Sequence, residues 1–366
     1  MIRNRNAIRL LCLFCLLVYP AINANLEAQT IIGQRNDSVS HSLIRHQLGF
    51  DIRPGYIVST HSFLQGDNMQ QKKIDQSLSF HLKYAFRFSK ESNLGRLFPH
   101  TYQGIGVSYH TFFSPVELGN PVSVYAFQGS RIAQLSPRLS LDYEWNFGAS
   151  FGWKKYDELS NPQNVLIGSK INAYINLGFL LNWQVHKYWK LAAGVALTHF
   201  SNGNTHYPNG GLNVIGGRIG IVRTLDADEA PGPITPRRLF IKPHVSYDLV
   251  IYGATRKRGL VGDDVSSMIP GSFGVAGVNF APMYNFNNYF RAGLSADAQY
   301  DESANLKEYR VGKFYSGDLK FHRPPFRKQF AMGLSLRAEL VMPVFSINVG
   351  VGRNLIYSGG DMKGFY

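Results

Sequence analysis

The sequence has very little cysteine and, beyond its first twenty residues, no long hydrophobic run. Its only two cysteines, Cys12 and Cys15, both lie in the apolar N-terminal segment. Without that segment the chain has no disulfide, no thiol nucleophile and no thiolate metal site. A helical protein that crosses a membrane many times needs several apolar runs of about 20 residues, so the sequence excludes that class.

The N-terminus has the pattern of a secretory signal peptide. Arginines at positions 3, 5 and 9 precede the apolar run 10–19, and small or polar residues follow it as far as Ala24. A basic segment, a short apolar core and small residues at a cleavage point are typical of exported proteins. We predict a signal peptide over 1–24 and an N-terminal periplasmic segment over 25–42. A membrane anchor is the alternative, and the apolar run is short for one.

The charge balance points to an anionic partner. The formal net charge is +14, and it stays positive when the three leader arginines are removed. Nucleic acid is the usual partner of a basic chain, but a signal peptide argues against it. A phosphorylated lipid surface is therefore expected instead.

From Ser77 onward, apolar and polar residues alternate with a period of two, which indicates strands rather than helices. One such row begins Leu78, Phe80, Leu82, with Ser79 and His81 between its members. Thirteen segments follow this pattern: 43–60, 77–89, 102–112, 121–128, 138–153, 170–186, 188–200, 213–224, 238–253, 273–281, 289–299, 329–341 and 344–353.

The strands predict an all-β fold, a transmembrane antiparallel β-barrel of about 12–14 strands over residues 43–366. Many segments are ten residues or longer, the length that crosses a bilayer at a tilt. Their apolar rows carry Trp, Tyr and Phe near the ends, and their other face is small and polar, which suits a wet lumen. A soluble secreted β-sandwich, such as a lectin, is the alternative, and both features argue against it.

Loop lengths orient the barrel, because outer-membrane barrels have short periplasmic turns and long external loops. The connections at 186–188 and 342–343 are very tight, whereas 154–169, 201–212, 254–272 and 300–328 are long and polar. With the N-terminus inside, the loop 201–212 is predicted to be external. The linker 225–237 departs from the pattern, because it is long and yet periplasmic by this count.

Loop 201–212 and the strand ends on either side of it hold the residues best suited to chemistry. His199 and Ser201 are two apart in a strand and so share one face, where an imidazole could take a proton from a hydroxyl. Their parity matches that of Leu197, and Asn213 has the outward parity of the next strand, so all three point toward lipid. Asn202, Asn204 and Asn209 lie in the turn-rich loop and could supply an oxyanion hole. Interfacial polar residues that close a hairpin are the alternative.

The order His199-x-Ser201-Asn202, then Pro208-Asn209-x-Gly211, then a polar residue twelve after the serine resembles the PagL-type lipid A 3-O-deacylase family, often described as acyloxyacyl hydrolases. The resemblance covers about fifteen residues. It implies an outer-membrane barrel of a Gram-negative bacterium that removes an ester-linked acyl chain from lipopolysaccharide. It implies that Ser201 is the nucleophile, that His199 is the general base, and that Asn209 with the N–H groups of 202–204 forms the oxyanion hole. We expect no cofactor and no metal.

The chain departs from the family pattern at Asn213, where the family has a glutamate that orients the histidine. Asn213 can accept the imidazole N–H but brings no negative charge. A passive pore or lipid-binding scaffold that has lost turnover is therefore the second hypothesis. The chain is also longer than an eight-stranded barrel needs, which predicts a wider one.

Two further groups of residues are weaker candidates. Arg256, Lys257 and Arg258 could bind lipid A phosphates, although solubilising loop charge is an equal interpretation. The sequence 148–152 matches G-x-S-x-G, but that motif needs a strand–turn–helix elbow and here lies within one strand. The sequence does not indicate an oligomeric state.

Overall fold

A computed structural model gives the fold and describes residues 44–90, 92–203, 205–206, 208–225, 239–260, 267–311, 318–343 and 346–366. The predicted signal peptide 1–24 and the segment 25–42 lie outside the described residues. In the part of the chain that is described, no helix is both long and apolar enough to cross a membrane.

Eight antiparallel strands form a closed barrel in which β8 pairs back onto β1. They are β1 (Ile44–Ile57), β2 (Gln76–Phe88), β3 (Tyr102–Thr111), β4 (Gly119–Ser136), β5 (Leu139–Trp153), β6 (Ile171–His186), β7 (Trp189–Ser201) and β8 (Leu212–Thr224). Two short helices, α1 (Ser62–Gln65) and α2 (Asn93–Leu97), lie in the connections after β1 and β2.

The remaining long strands form a separate five-stranded antiparallel sheet in the order β17-β16-β13-β12-β9. Its members are β9 (His244–Arg256), β12 (Phe273–Asn285), β13 (Phe290–Asp301), β16 (Phe330–Leu340) and β17 (Ile347–Tyr357). Two small hairpins, β10 (Gly259–Leu260) with β11 (Ser267–Met268) and β14 (Lys307–Val311) with β15 (Asp318–His322), and two 3₁₀ turns (Phe326–Lys328 and Gly360–Met362) complete the elements.

The prediction of an all-β antiparallel barrel is confirmed, but the predicted width of about 12–14 strands is wrong. Each of the thirteen predicted segments corresponds to a long strand, eight in the barrel and five in the second sheet. The error arises because alternation reveals that a strand exists and which way its side chains point, but not which strand it pairs with. The long linker 225–237, anomalous in the loop pattern, joins the two sheets in sequence, and its residues after 225 lie outside the described residues.

The barrel wall has an apolar outer face and a polar lumen filled with side chains. At the centre of the lumen, Asp51 and Glu144 are fully buried and contact three buried cations, Arg53, Lys83 and Arg218. The cavities lined by these residues are small. Charges in such a setting are stabilised by pairing, since an unpaired buried charge is costly.

The two ends of the barrel carry different connections. One end carries the tight connections 137–138 and 187–188 together with the longer connection 89–101, whereas 58–75, 154–170 and 202–211 are long and lie together at the opposite end. A cluster of buried apolar side chains packs beneath these long loops, with Phe63, Leu118, Leu166, Phe200 and Leu212 among its members. The end of β7 is therefore held by buried apolar packing through Phe200.

Candidate active site

His199 and Ser201 lie at the end of β7 and both point out of the barrel. Their parity is that of Leu197, which is half exposed on the outer face, whereas Phe200 between them is 1% exposed and points into the barrel. Both His199 and Ser201 are partly buried. The pair therefore belongs to the surface that faces lipid and not to the lumen.

Asn213 lies directly beside His199 on the neighbouring strand. The register of β7 and β8 pairs these two residues, and His199 Nδ1 is 2.7 Å from Asn213 Oδ1. An amide oxygen only accepts hydrogen bonds, so the imidazole Nδ1–H donates and the proton is held at that nitrogen. In the neutral imidazole this bond selects the tautomer whose Nε2 carries the free lone pair, as a general base requires.

Gly211 leaves the space that the two side chains occupy. Its φ of +70° lies in the left-handed region, where a residue with a Cβ is strained. A Cβ at this position would also stand 3.1 Å from His199 Cε1 and 3.8 Å from Ser201 Cβ. A glycine is thus required at position 211, both for the left-handed backbone turn and because the His199 and Ser201 side chains lie so near.

The asparagines of the loop hold its shape. The backbone N–H of Asn202 donates to Asn209 Oδ1 at 2.8 Å, so this N–H is already engaged. The Asn202 side chain is buried and donates to the His206 carbonyl at 2.9 Å, which turns it into the loop and away from Ser201. Asn204 lies outside the described residues.

A second long loop, 154–170, is hydrogen-bonded to the loop that carries the site. The N–H groups of Gly210 and Gly211 donate to the carbonyls of Val165 and Leu166 at 3.1 and 3.2 Å. In the same loop, hydrogen bonds from the Ser160 backbone N–H, the Ser160 hydroxyl and the Leu159 N–H lower the pKa of Asp157. The bonds to Val165 and Leu166 therefore join the two loops beside Gly211, whose position borders the His199 and Ser201 side chains.

Phe200 anchors the end of β7 from inside the barrel. Its ring contacts those of Trp153, His110 and Tyr174, with centroids 5.0, 5.2 and 5.5 Å away. Such buried aromatic packing restricts the movement of the strand end that carries His199 and Ser201. Sequence reasoning missed this role, although the inward parity of a large ring between His199 and Ser201 is a usable signal.

Small and apolar residues surround the pair on the outer face. Ala173 of β6 is paired with Ser201, and Ile175 of the same strand is paired with His199. Ile215 of β8 is paired with Leu197, and both are about half exposed. A hydrocarbon chain could lie along these residues with its polar end at Ser201. The exact register of these strand pairs, and hence this grouping of side chains, could not be read from the sequence.

The three predicted phosphate-binding residues lie in the C-terminal half of the chain and have partners there. Arg256 pairs with Asp301 at 2.9 Å, and Arg258 pairs with Asp361 at 2.6 Å. Lys257 Nζ donates to the Gly271 carbonyl at 2.6 Å. All three cations thus bind groups of the protein itself, which supports a structural role for them.

No group of three or more His, Cys, Asp or Glu side chains suited to a metal ion occurs among the described residues. Ser150, the serine of the G-x-S-x-G sequence, is buried and accepts a hydrogen bond from Trp153 Nε1 at 2.8 Å. It lies within β5 and faces the lumen, so it does not belong to an exposed nucleophile elbow.

Two family models match the chain, and they divide it as the two sheets do. Residues 79–222 match the model described as lipid A 3-O-deacylase (PagL), and residues 245–366 match the model described as acyloxyacyl hydrolase, C-terminal domain. Together the matches cover more than half of the sequence. The first match contains His199, Ser201 and Asn213, and the second begins in β9 and takes in the five-stranded sheet.

Comparison with solved structures finds distant outer-membrane barrels. Neisserial surface protein A is 9% identical with a TM-score of 0.33, and the alignment covers 49% of this chain and 97% of that one. An outer membrane channel from Pseudomonas putida F1 is 8% identical with a TM-score of 0.22 over 91% of this chain and 96% of that one. No curated protein matches the sequence.

Proposed function

Since the chain belongs to the lipid A 3-O-deacylase family of outer-membrane ester hydrolases of Gram-negative bacteria, we propose that Ser201 and His199 carry out its ester hydrolysis. Ser201 Oγ attacks the carbonyl carbon of an ester-linked acyl chain of lipid A, and His199 Nε2 takes the hydroxyl proton. The C–O bond to the sugar breaks, and the imidazolium returns its proton to the sugar oxygen. Water, again deprotonated by His199, then releases the fatty acid and regenerates the serine.

The observation that carries this proposal is the hydrogen bond of 2.7 Å between His199 Nδ1 and Asn213 Oδ1 on the outer face of the barrel. This bond favours the tautomer in which His199 Nε2 can accept a proton. His199 is two residues from Ser201 on the same face of β7. A nucleophile on that face meets acyl chains and not soluble substrates. The neighbouring Ala173, Ile175 and Ile215 would hold the acyl chain.

The oxyanion that forms on the ester carbonyl needs hydrogen-bond donors. Because the Asn202 N–H is bonded to Asn209, we assign this role to the Asn209 amide group and to the backbone N–H of Gly203. Gly203 is exposed and has a φ of +61°. A passive pore is less well supported, because side chains fill the lumen.

The test is the mass of lipid A in a Gram-negative host that expresses the chain. We expect the mass to fall by one ester-linked acyl chain, with release of the matching fatty acid. The matched control is His199→Gln, whose amide can still donate to Asn213 but cannot act as a base. An unchanged lipid A mass with folded wild-type protein, or equal deacylation by His199→Gln, would contradict the proposal.

Asn213→Glu is expected to raise the rate of ester hydrolysis by about 10-fold or more. A carboxylate would stabilise the imidazolium that forms during proton transfer, and a charge-assisted hydrogen bond is roughly twice as strong as a neutral one. Initial rates on purified lipid A in detergent measure the effect. Asn213→Leu, which removes the acceptor, should instead lower the rate. If the glutamate variant is folded and no faster, residue 213 does not act through the charge on His199.

A further inference from the structure

The five-stranded C-terminal sheet has one face that is apolar and exposed from edge to edge. Alternate residues of all five strands form this face, for example Leu249, Ile251, Phe280, Leu294, Leu336 and Val351. Ile251 is 77% exposed and Leu336 is 67% exposed. Arg353 is the one charged residue on this face in the five strands, and it lies over the ring of Phe365. An exposed apolar surface of this extent indicates contact with something other than water.

The strands and their ends fit a bilayer. They are 11 to 13 residues long, and about 9–11 residues suffice to cross a membrane at a tilt. Aromatic residues stand near both ends of the apolar face, with Tyr284 and Phe290 at one end and Tyr300 and Phe330 at the other. Aromatic girdles of this kind flank the apolar band of membrane barrels.

The opposite face is polar and charged. Arg291 contacts both Asp248 and Glu339 at 2.9 Å, and Arg337 contacts Asp297 at 3.0 Å. Charged groups and unpaired backbone groups are both costly in hydrocarbon. This face therefore needs a water-lined or protein-lined space, as the lumen of a barrel provides.

The sheet does not close on itself. Within the described chain, β9 pairs with β12 alone. The other edge, β17, pairs with β16 and, at Gly352 and Asn354, with the segment 364–366, so its residues 347–351 are an open edge. The barrel β1–β8 is closed and offers no edge to which these strands could be added.

We propose that two copies of this chain close their C-terminal sheets into one shared ten-stranded barrel in the outer membrane. Five strands are too few for a barrel, since the smallest membrane barrels have eight, and a second copy satisfies both open edges with one repeated contact. In an antiparallel sheet of five, β9 and β17 run in the same direction. With a two-fold axis along the membrane normal, β17 of one copy therefore meets β9 of the other as a parallel pair. The apolar faces then contact lipid, and the ion pairs line the lumen.

Cysteine cross-linking tests this contact. In a full-length chain with Cys12 and Cys15 replaced by alanine, Val349→Cys is combined with Val245→Cys or with Leu249→Cys, which allows for two registers. Within one chain, β9 and β17 are four strand spacings apart, roughly 19 Å at about 4.8 Å each, and a disulfide needs Cα atoms within about 7 Å. A disulfide between these strands must therefore join two copies. We expect oxidation in isolated outer membranes to give a band at twice the mass of the chain with at least one pair.

The matched control is Val245→Cys with Leu294→Cys, because Leu294 lies on the same apolar face but in the central strand β13. It should give no band of double mass. A second measurement does not depend on the cross-link: Leu294→Cys should react in intact outer membranes with a membrane-permeant maleimide and not with an impermeant one. Labelling by the impermeant reagent would place this face in water and overturn the proposal. So would the absence of a double-mass band from both pairs, or cross-linking only to a protein of another mass.

Discussion

Ser201→Ala is expected to lower the rate of lipid A ester hydrolysis by about 10⁴-fold or more while leaving the barrel folded. Removal of the nucleophile from a serine hydrolase abolishes the acyl-enzyme route, and the residual rate comes from binding and oxyanion stabilisation alone. Ser201 lies at the end of β7, is only partly buried, and points away from the lumen. The loss of its hydroxyl therefore removes no buried contact on which the barrel depends. Initial rates on purified lipid A in detergent, set against the fraction of folded barrel, measure the effect.

Ser150→Ala is the control for this variant, because it removes the serine of the alternative G-x-S-x-G sequence. Ser150 lies inside β5, where its hydroxyl donates to the Asn172 carbonyl and accepts from Trp153. Its loss should cost some stability, about 1 kcal/mol for a buried hydrogen bond, and leave the rate per folded molecule unchanged. A fluorophosphonate probe should likewise modify the wild-type chain and Ser150→Ala, but not Ser201→Ala. If Ser201→Ala keeps the wild-type rate, the assigned nucleophile is wrong.

Much of this site can be predicted from the period of two alone. Alternation places His199 and Ser201 on the side of β7 that carries Leu197, and it predicts the same outward side for Asn213 on the next strand. The single loop 202–211 joins β7 to β8, and antiparallel strands that follow each other in the chain are usually neighbours, so their mutual approach also follows from local sequence. The direction of a side chain and the order of consecutive strands depend only on residues close in sequence, so the sequence pattern is enough to predict them.

The features that sequence reasoning missed depend on contacts between distant segments. Strand number depends on whether β8 returns to β1 or continues to β9, and each strand has the same alternation in either case. The Asn202 N–H, which the sequence offered as an oxyanion donor, is instead bonded to the Asn209 side chain. This bond exists only in the folded loop. The partners of Arg256 and Arg258 are Asp301 and Asp361, which are far along the chain. The sequence shows that charged and polar side chains can form ion pairs and hydrogen bonds, but only the fold determines which partners they have.

The buried charge cluster in the lumen gives the largest expected effect on stability. Asp51 and Glu144 are surrounded by Arg53, Lys83 and Arg218, so the five groups carry two negative and three positive formal charges. All five are 5% exposed or less. Removal of a carboxylate from this cluster leaves three buried cations facing one anion. Removal of one cation leaves two of each sign.

Glu144→Gln is therefore expected to destabilise the barrel by about 3–5 kcal/mol, the usual cost of breaking a buried ion pair. Lys83→Met, which keeps the length of the side chain and balances the remaining charges, should cost only about 1 kcal/mol. The midpoint of urea unfolding in lipid vesicles, followed by tryptophan fluorescence, compares the two variants under identical conditions. Equal losses would mean that packing of the long side chains, and not the charge balance, holds the lumen together. A larger loss for Lys83→Met would reverse the argument, because it would identify this lysine as the charge that the two carboxylates require.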